Sequence, residues 1–156
     1  MTTTLSQEAG KKLLLDFYKA CDAFDFPAIQ DYLTEDCKAD IGNAVVCGNP
    51  DEVVAVSEFP GDHFQRVFTP LESFTHQIDH VDVVGDRIYC LQTALVVVKD
   101  EPREGKDRVI SFQGMVMFRV SLESDQIWRI QYIKGVADGS TVFKRITELK
   151  SQQNGK

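Results

Sequence analysis

The hydrophobic pattern of this chain changes period partway along. Up to about residue 68, apolar positions recur at steps of three and four; beyond residue 74 they gather into long runs rich in β-branched and aromatic side chains. The first period belongs to amphipathic helices and the second to strands. Residues 81–84 lead to Gly85-Asp86, and the chain turns there into residues 87–98. A charged loop over 99–107 precedes the run 108–120, and Ser124-Asp125 turns the chain into 126–133. Three segments of about 8 to 13 residues, with a fourth leading in from Phe74, exceed the usual strand of roughly 5 to 6. Long antiparallel strands twist, so the meander should bend strongly and present a concave face. Gly85 is expected at positive φ, where a side chain would clash.

The first half reads as helices. Leu13, Leu14, Phe17, Tyr18, Cys21 and Phe24 share one helical face, with Ser6 as N-cap and Gly10 weakening the first turns. Asp25-Phe26-Pro27 stops that helix, and Pro27 suits the first turn of the next, over 28–33. Thr34-Glu35-Asp36 ends it, a short strand follows over 37–42, and Gly48-Asn49-Pro50 turns the chain. A third helix is predicted over 50–56, capped by Asn49, with a further piece over 62–68 beyond Pro60-Gly61. After the sheet, Val142, Phe143, Ile146 and Leu149 mark a helix over 140–149, and residues 151–156 should be disordered. Helices collected ahead of an antiparallel sheet predict α+β layer packing, with the helices over the concave face. The expected shape is a cone-shaped α+β barrel formed by one domain over 1–156, its core at about 10–135.

Composition narrows the choice. A chain of 156 residues with a hydrophobic fraction of 43% can build a real core. A net charge of −7 disfavours nucleic acid, whose phosphates call for a basic surface. No stretch approaches the roughly 20 apolar residues of a membrane span, and the first residues lack the basic start and apolar centre of a signal peptide. No nucleic acid or membrane partner and a cytoplasmic location are therefore expected. Cys21, Cys37, Cys47 and Cys90 form no close pair and read as reduced, partly buried thiols. His76 and His80 have a spacing that could hold a metal on a helix but fall in a β segment, so no metal site is expected. No phosphate loop or dinucleotide fingerprint is present, and no cofactor is expected.

The chain resembles the nuclear-transport-factor-2-like superfamily, in particular its SnoaL-like branch of polyketide cyclases and isomerases. The resemblance rests on Phe17-Tyr18, Phe26-Pro27-Ala28-Ile29, Leu33-Thr34-Glu35-Asp36-Cys37, Ile41-Gly42-Asn43 with Gly48, Thr75-His76-Gln77-Ile78, Val84-Gly85-Asp86-Arg87 and Ile127-Trp128-Arg129-Ile130-Gln131-Tyr132. It implies a conical pocket and a cofactor-independent isomerase or cyclase acting on a hydrophobic polycyclic natural product, a polyketide, terpenoid or alkaloid intermediate. The superfamily also holds plain binding or dimerisation modules, dehydratases and epoxide hydrolases, so the fold alone does not fix the reaction.

His76 is the first candidate acid–base, because imidazole titrates near neutral pH. The resemblance places a pocket-facing His here. It also places a basic Asp just before the final Tyr, where this chain carries Gln131, which cannot take a proton but can orient a substrate. Asp40 is the carboxylate expected beside them, with Lys38 on the same strand face; the alternative turns Ala39 and Ile41 inward instead. Tyr18, Tyr132, Gln92, Gln113, Met115 and Phe64 are candidate substrate-binding residues. The expected partners are a small hydrophobic substrate and a second copy of the chain, since apolar residues occupy both faces of the strand carrying 91–98.

Overall fold

The computed structural model describes residues 3–40 and 68–155. Helix α1, Gln7–Asp22, starts where the Ser6 hydroxyl accepts the Ala9 N–H at 3.1 Å. It ends as Phe24 takes a positive φ of 54°. Asp25 then caps α2, Phe26–Asp31, by accepting from the Ala28 N–H, with Pro27 in the first turn. Strand β1 runs Leu33–Asp40. It begins four residues ahead of the expected start at Cys37, because Leu33 pairs with Ile130 of the sheet rather than prolonging α2. The helix predicted over 50–56 and, except for Phe68, the piece predicted over 62–68 lie outside the described residues, as do Phe64 and Cys47.

The meander follows as β2 Leu71–Val84, β3 Arg87–Val98, β4 Ile110–Leu122 and β5 Trp128–Ala137. Gly85 makes the β2–β3 turn at φ +62°, as the sequence predicts. The five strands form one sheet in the order β1-β5-β4-β3-β2. It is mixed rather than wholly antiparallel, since β1 joins β5 in parallel. A final helix, α3, Ser140–Asn154, carries on five residues past the expected end at Leu149 and takes up most of the predicted disordered tail.

Alternation assigns the faces of the sheet. Ile88, Cys90, Gln92, Ala94 and Val96 of β3 are buried, as are Phe118 and Val120 of β4. These inner-face residues meet Leu14, Phe17, Tyr18 and Cys21 of α1, together with Val142 and Leu149 of α3, in one core. Gly10 has a packing role here rather than being a mere weakness. A Cβ on it would lie 2.6 Å from Val83 Cγ2, so only glycine lets α1 come this close to β2. α3 is tied to the loop after β3 by Arg145, whose Nε donates to Glu101 at 2.5 Å. Both side chains are buried, at 8% and 2% exposure. The arginine beside it pulls the Glu101 carboxyl down to about 2.

Two of the register shifts along the sheet bear on the candidate residues. In β2, Ile78 pairs with Gln92 and His80 with Leu91, so Asp79 is the extra residue. In β5, Ile130 pairs with Val120 and Tyr132 with Arg119, so Gln131 is the extra residue. A bulge re-aims every side chain beyond it.

Candidate functional site

The last turn of α1 meets the first half of β2. Tyr18 and Asp22 are one helical turn apart and therefore share a face, and His76 is placed against both. The Tyr18 and His76 rings stack with centroids 3.9 Å apart and planes within 7°. Asp22 Oδ1 lies 2.5 Å from His76 Nδ1, and the same carboxylate accepts the His76 backbone N–H at 3.1 Å. One carboxylate thus fixes both the strand and the ring. A carboxylate only accepts, so Nδ1 carries a proton, and in the neutral form of the imidazole the lone pair lies on Nε2. Phe74 closes a further side, its ring centroid 4.6 Å from that of His76. Phe68 stacks on Phe24 and reaches Phe74.

Tyr18 also links His76 to β3. Its hydroxyl donates to Gln92 Oε1, and burial raises the Tyr18 phenol well above its ordinary value. It stays a neutral O–H donor. Every fully buried side-chain nitrogen and oxygen among the described residues has a partner. His76 Nε2 and Gln92 Nε2 have none among those residues, so neither atom is fully buried. Neither His76 nor Gln92 is well exposed, each at 8%. The result is two open nitrogens, one basic and one a donor, in an aromatic and otherwise apolar setting.

Other candidates fall elsewhere, and the expected grouping of His76 with Asp40 and Gln131 is corrected. Cys37 and Ala39 are buried in the second half of β1, so alternation turns Lys38 and Asp40 to the opposite face. Asp40 pairs with Lys134 Nζ at 2.6 Å and lies 3.5 Å from the Tyr132 hydroxyl. Tyr132 in turn lies under the Arg119 guanidinium, 5.4 Å away. Gln131, the bulged residue, donates to Asp36 at 3.4 Å. On β4 the inward positions are Phe112, Gly114 and Val116. Gln113 and Met115 therefore face outward, Met115 with half its surface exposed. His80 pairs with Asp82 at 3.0 Å in the open, on the far side of the Asp79 bulge from His76. Among the described residues no cluster of His, Cys, Asp or Glu could hold a metal. Cys21, Cys37 and Cys90 are buried and free. Burial pushes Cys90 up to about 11, which keeps it a thiol.

Asp22 escaped the sequence reading, though a signal was present. It ends a helix, where the macrodipole favours cations over carboxylates. A carboxylate there calls for a compensating partner, and His76 is that partner.

A bent sheet with helices over its concave face defines the cone of nuclear-transport-factor-2-like proteins. The SnoaL-like domain model matches residues 14–130, so the chain belongs to the SnoaL-like family. Solved structures share the fold at low identity. IdmH from Streptomyces antibioticus, named as a candidate polyketide cyclase, is 14% identical with a TM-score of 0.66 over 88% of this chain and 98% of that one. AclR from Streptomyces galilaeus, named as a candidate hydroxylase, is 13% identical with a TM-score of 0.64 over 92% and 98%. An NTF2-like protein of unknown function from Burkholderia pseudomallei is 16% identical at 0.64 over 88% and 97%. No curated protein matches the sequence. Among the described residues no helix is long and apolar enough to cross a membrane.

Proposed function

We propose that this protein is an isomerase or cyclase that moves protons on a flat hydrophobic carbonyl compound, with His76 as the acid–base group. The supporting observation is the Asp22–His76 pair with its open Nε2. In this scheme the Nε2 lone pair takes a proton from the carbon next to a carbonyl. The C–H electron pair moves into the new C=C bond, and the carbonyl electrons move onto oxygen. The imidazolium formed lies against the Asp22 carboxylate. The proton then returns to another carbon as the enolate electrons re-form a carbonyl, which isomerises the substrate. Alternatively, the enolate carbon attacks a second carbonyl, whose π electrons move onto its oxygen and take the proton from the imidazolium, which closes a ring. No electrons are gained or lost, and one histidine serves both directions. Tyr18 and Phe74 hold the imidazole by packing, so it meets the substrate already oriented. The names of IdmH and related neighbours agree with a polyketide-like substrate.

The test does not require the natural substrate. The α-hydrogens of 2-tetralone exchange in D2O at a rate that nuclear magnetic resonance follows directly. The wild-type protein should accelerate exchange, and His76→Ala should remove roughly 10²- to 10⁴-fold of that acceleration. Exchange no faster than with free imidazole would sink the proposal and leave a binding module in its place.

The same reading includes assembly as a homodimer through the outer face. Tyr89, Leu91, Met115, Met117 and Val136 adjoin one another by register, and Val136 is 65% exposed. Met115→Glu should convert a light-scattering dimer into a monomer at micromolar concentration, and a wild-type monomer would refute this assembly.

A further inference from the structure

The amide of Gln92 has one half occupied and one half open. Its oxygen accepts the Tyr18 hydroxyl, and Tyr18, kept neutral by burial, has a proton to donate. That bond sets the direction of the amide and turns the NH2 away from Tyr18. The side chain is more than nine-tenths buried, yet Nε2 has no partner among the described residues. No fully buried side-chain nitrogen among the described residues lacks a partner, so Nε2 is not fully enclosed and can reach an acceptor.

Its inner-face neighbours are mostly small. Across the inner face Gln92 pairs with Ile78 on one side and Gly114 on the other, and Gly114 pairs with Ala137. The next inward residue on β3 is Ala94, which pairs with His76. Small side chains therefore flank Gln92 along β3 and on the β4–β5 side. Gly114 cannot easily be enlarged, since a Cβ there would sit 3.0 Å from Ala137 Cβ. The Tyr18 ring spans the gap, stacked on His76 at one face and bonded to Gln92 at its hydroxyl.

We infer that the Gln92 Nε2–H group binds an acceptor oxygen of the ligand, and that Tyr18 is the positioning residue that aims it. The ligand class follows from the chemistry. The open Nε2–H group is a donor, so it selects an acceptor oxygen such as that of a ketone, enone or enolate. A neutral amide can hold the ketone and still strengthen its bond as negative charge grows on that oxygen. This assignment rests on the acid–base reading of His76 and supplies its second half, a base at the carbon and a donor at the oxygen.

The experiment separates the two. The carbonyl stretch of 2-tetralone labelled with 13C at the carbonyl is recorded by infrared difference spectroscopy, with and without protein. Bound to wild-type protein it should move to lower wavenumber, as a hydrogen-bonded carbonyl does. Gln92→Leu should return the stretch to its position in apolar solvent, and the isosteric Gln92→Glu should do the same, because an ionised carboxylate only accepts. His76→Ala should keep the shift while losing exchange, so the infrared result stands whether or not His76 is the base. Gln92→Leu should also slow exchange by roughly 10²- to 10³-fold, the usual loss for one oxyanion donor, with kcat falling more than KM rises. A thermal melt checks that each variant folds. No shift in the wild type, or a shift that survives in both Gln92 variants, would overturn the assignment.

Discussion

Two carboxylates at opposite margins of one sheet show how differently this fold uses an acidic side chain. At the β2 margin, Asp22 reaches from the end of α1 to the inner face and holds His76 by ring and backbone. At the β1 margin, Asp40 turns to the outer face and meets Lys134. Both are carboxylate–cation-type contacts near 2.5 Å, yet their surroundings differ. His76 is buried among aromatic rings with one nitrogen open, whereas Lys134 is nearly half exposed. In a shielded setting a fixed carboxylate selects one tautomer and stabilises the imidazolium when it forms. In water the same geometry does little, because screening weakens it.

The sharpest way to break this comparison is to remove each inner-face partner in turn. His76→Ala carries the largest effect on exchange, as stated above. Asp22→Asn should follow it, since an amide can present a donor to Nδ1 and reverse the tautomer. Nitrogen-15 spectra of labelled histidine should show the proton on Nδ1 in the wild type and a mixture in the variant. A wild-type ring protonated on Nε2 instead would remove the dyad from the mechanism.

Next in size is Glu101, a second inner carboxylate, which is matched with Arg145 rather than a histidine. Glu101→Gln would leave a buried guanidinium facing only Glu148. Breaking a buried pair in this way costs about 3–5 kcal/mol, to be read from denaturant unfolding. The pH dependence has a definite sign. The Glu101 carboxyl is held down to about 2, chiefly by its hydrogen bonds from Arg145. Its contribution is therefore full above the ordinary carboxylate value and disappears as pH falls through about 2. The acid-unfolding curve of Glu101→Gln should be flatter than wild type in that window, and parallel curves would show that the pair does not couple to folding.

How much of this was legible in the residues depends on whether local pattern or long-range phase decided it. The helix caps at Ser6 and Asp25, the Gly85 turn and the long strands follow from local chemistry, and the sequence predicts them or their places. His76 and Gln92 also lie on the inner face, in step with the apolar Phe74, Ile78, Cys90 and Ala94, and Tyr18 lies on the apolar face of α1. Asp40 and Gln131 were misplaced for different reasons. At Asp40 the buried Ala39 and Cys37 are small and pattern weakly, so the charged parity was chosen wrongly. At Gln131 the β-bulge breaks the alternation, and no residue type in that stretch announces it. Asp22 required knowing that the end of α1 lies over β2, a contact spanning 54 positions.

A smaller effect tests how closely α1 must approach. Gly10→Ala places a methyl 2.6 Å from Val83 Cγ2, so helix or strand must move. Overpacking of this kind costs about 1–3 kcal/mol, against the gain of up to about 1 kcal/mol that alanine brings to a helix interior. A net loss in thermal stability is expected, together with slower exchange, because Tyr18 and Asp22 ride on the same helix. A more stable variant with full exchange would mean that the contact relaxes freely and does not position the site.

The smallest expected effect belongs to Asp40, and it is the one that isolates the comparison. Asp40→Asn keeps the shape of the side chain and removes its charge, so the Lys134 pair is lost while β1 keeps its register with β5. Lys134 can turn to water, so no buried charge is stranded. An ion pair this exposed contributes about 0–1 kcal/mol, and the melting midpoint should move little and less still at high salt. The Asp40–Lys134 pair lies on the face opposite the residues that adjoin His76, and its charge does not reach the Asp22–His76 pair through direct contact. Exchange of 2-tetralone should therefore stay within about twofold of wild type, a difference of less than about 0.5 kcal/mol in barrier. If Asp40→Asn instead matched His76→Ala, the outer carboxylate would be part of the chemistry and the division between the two faces would fall.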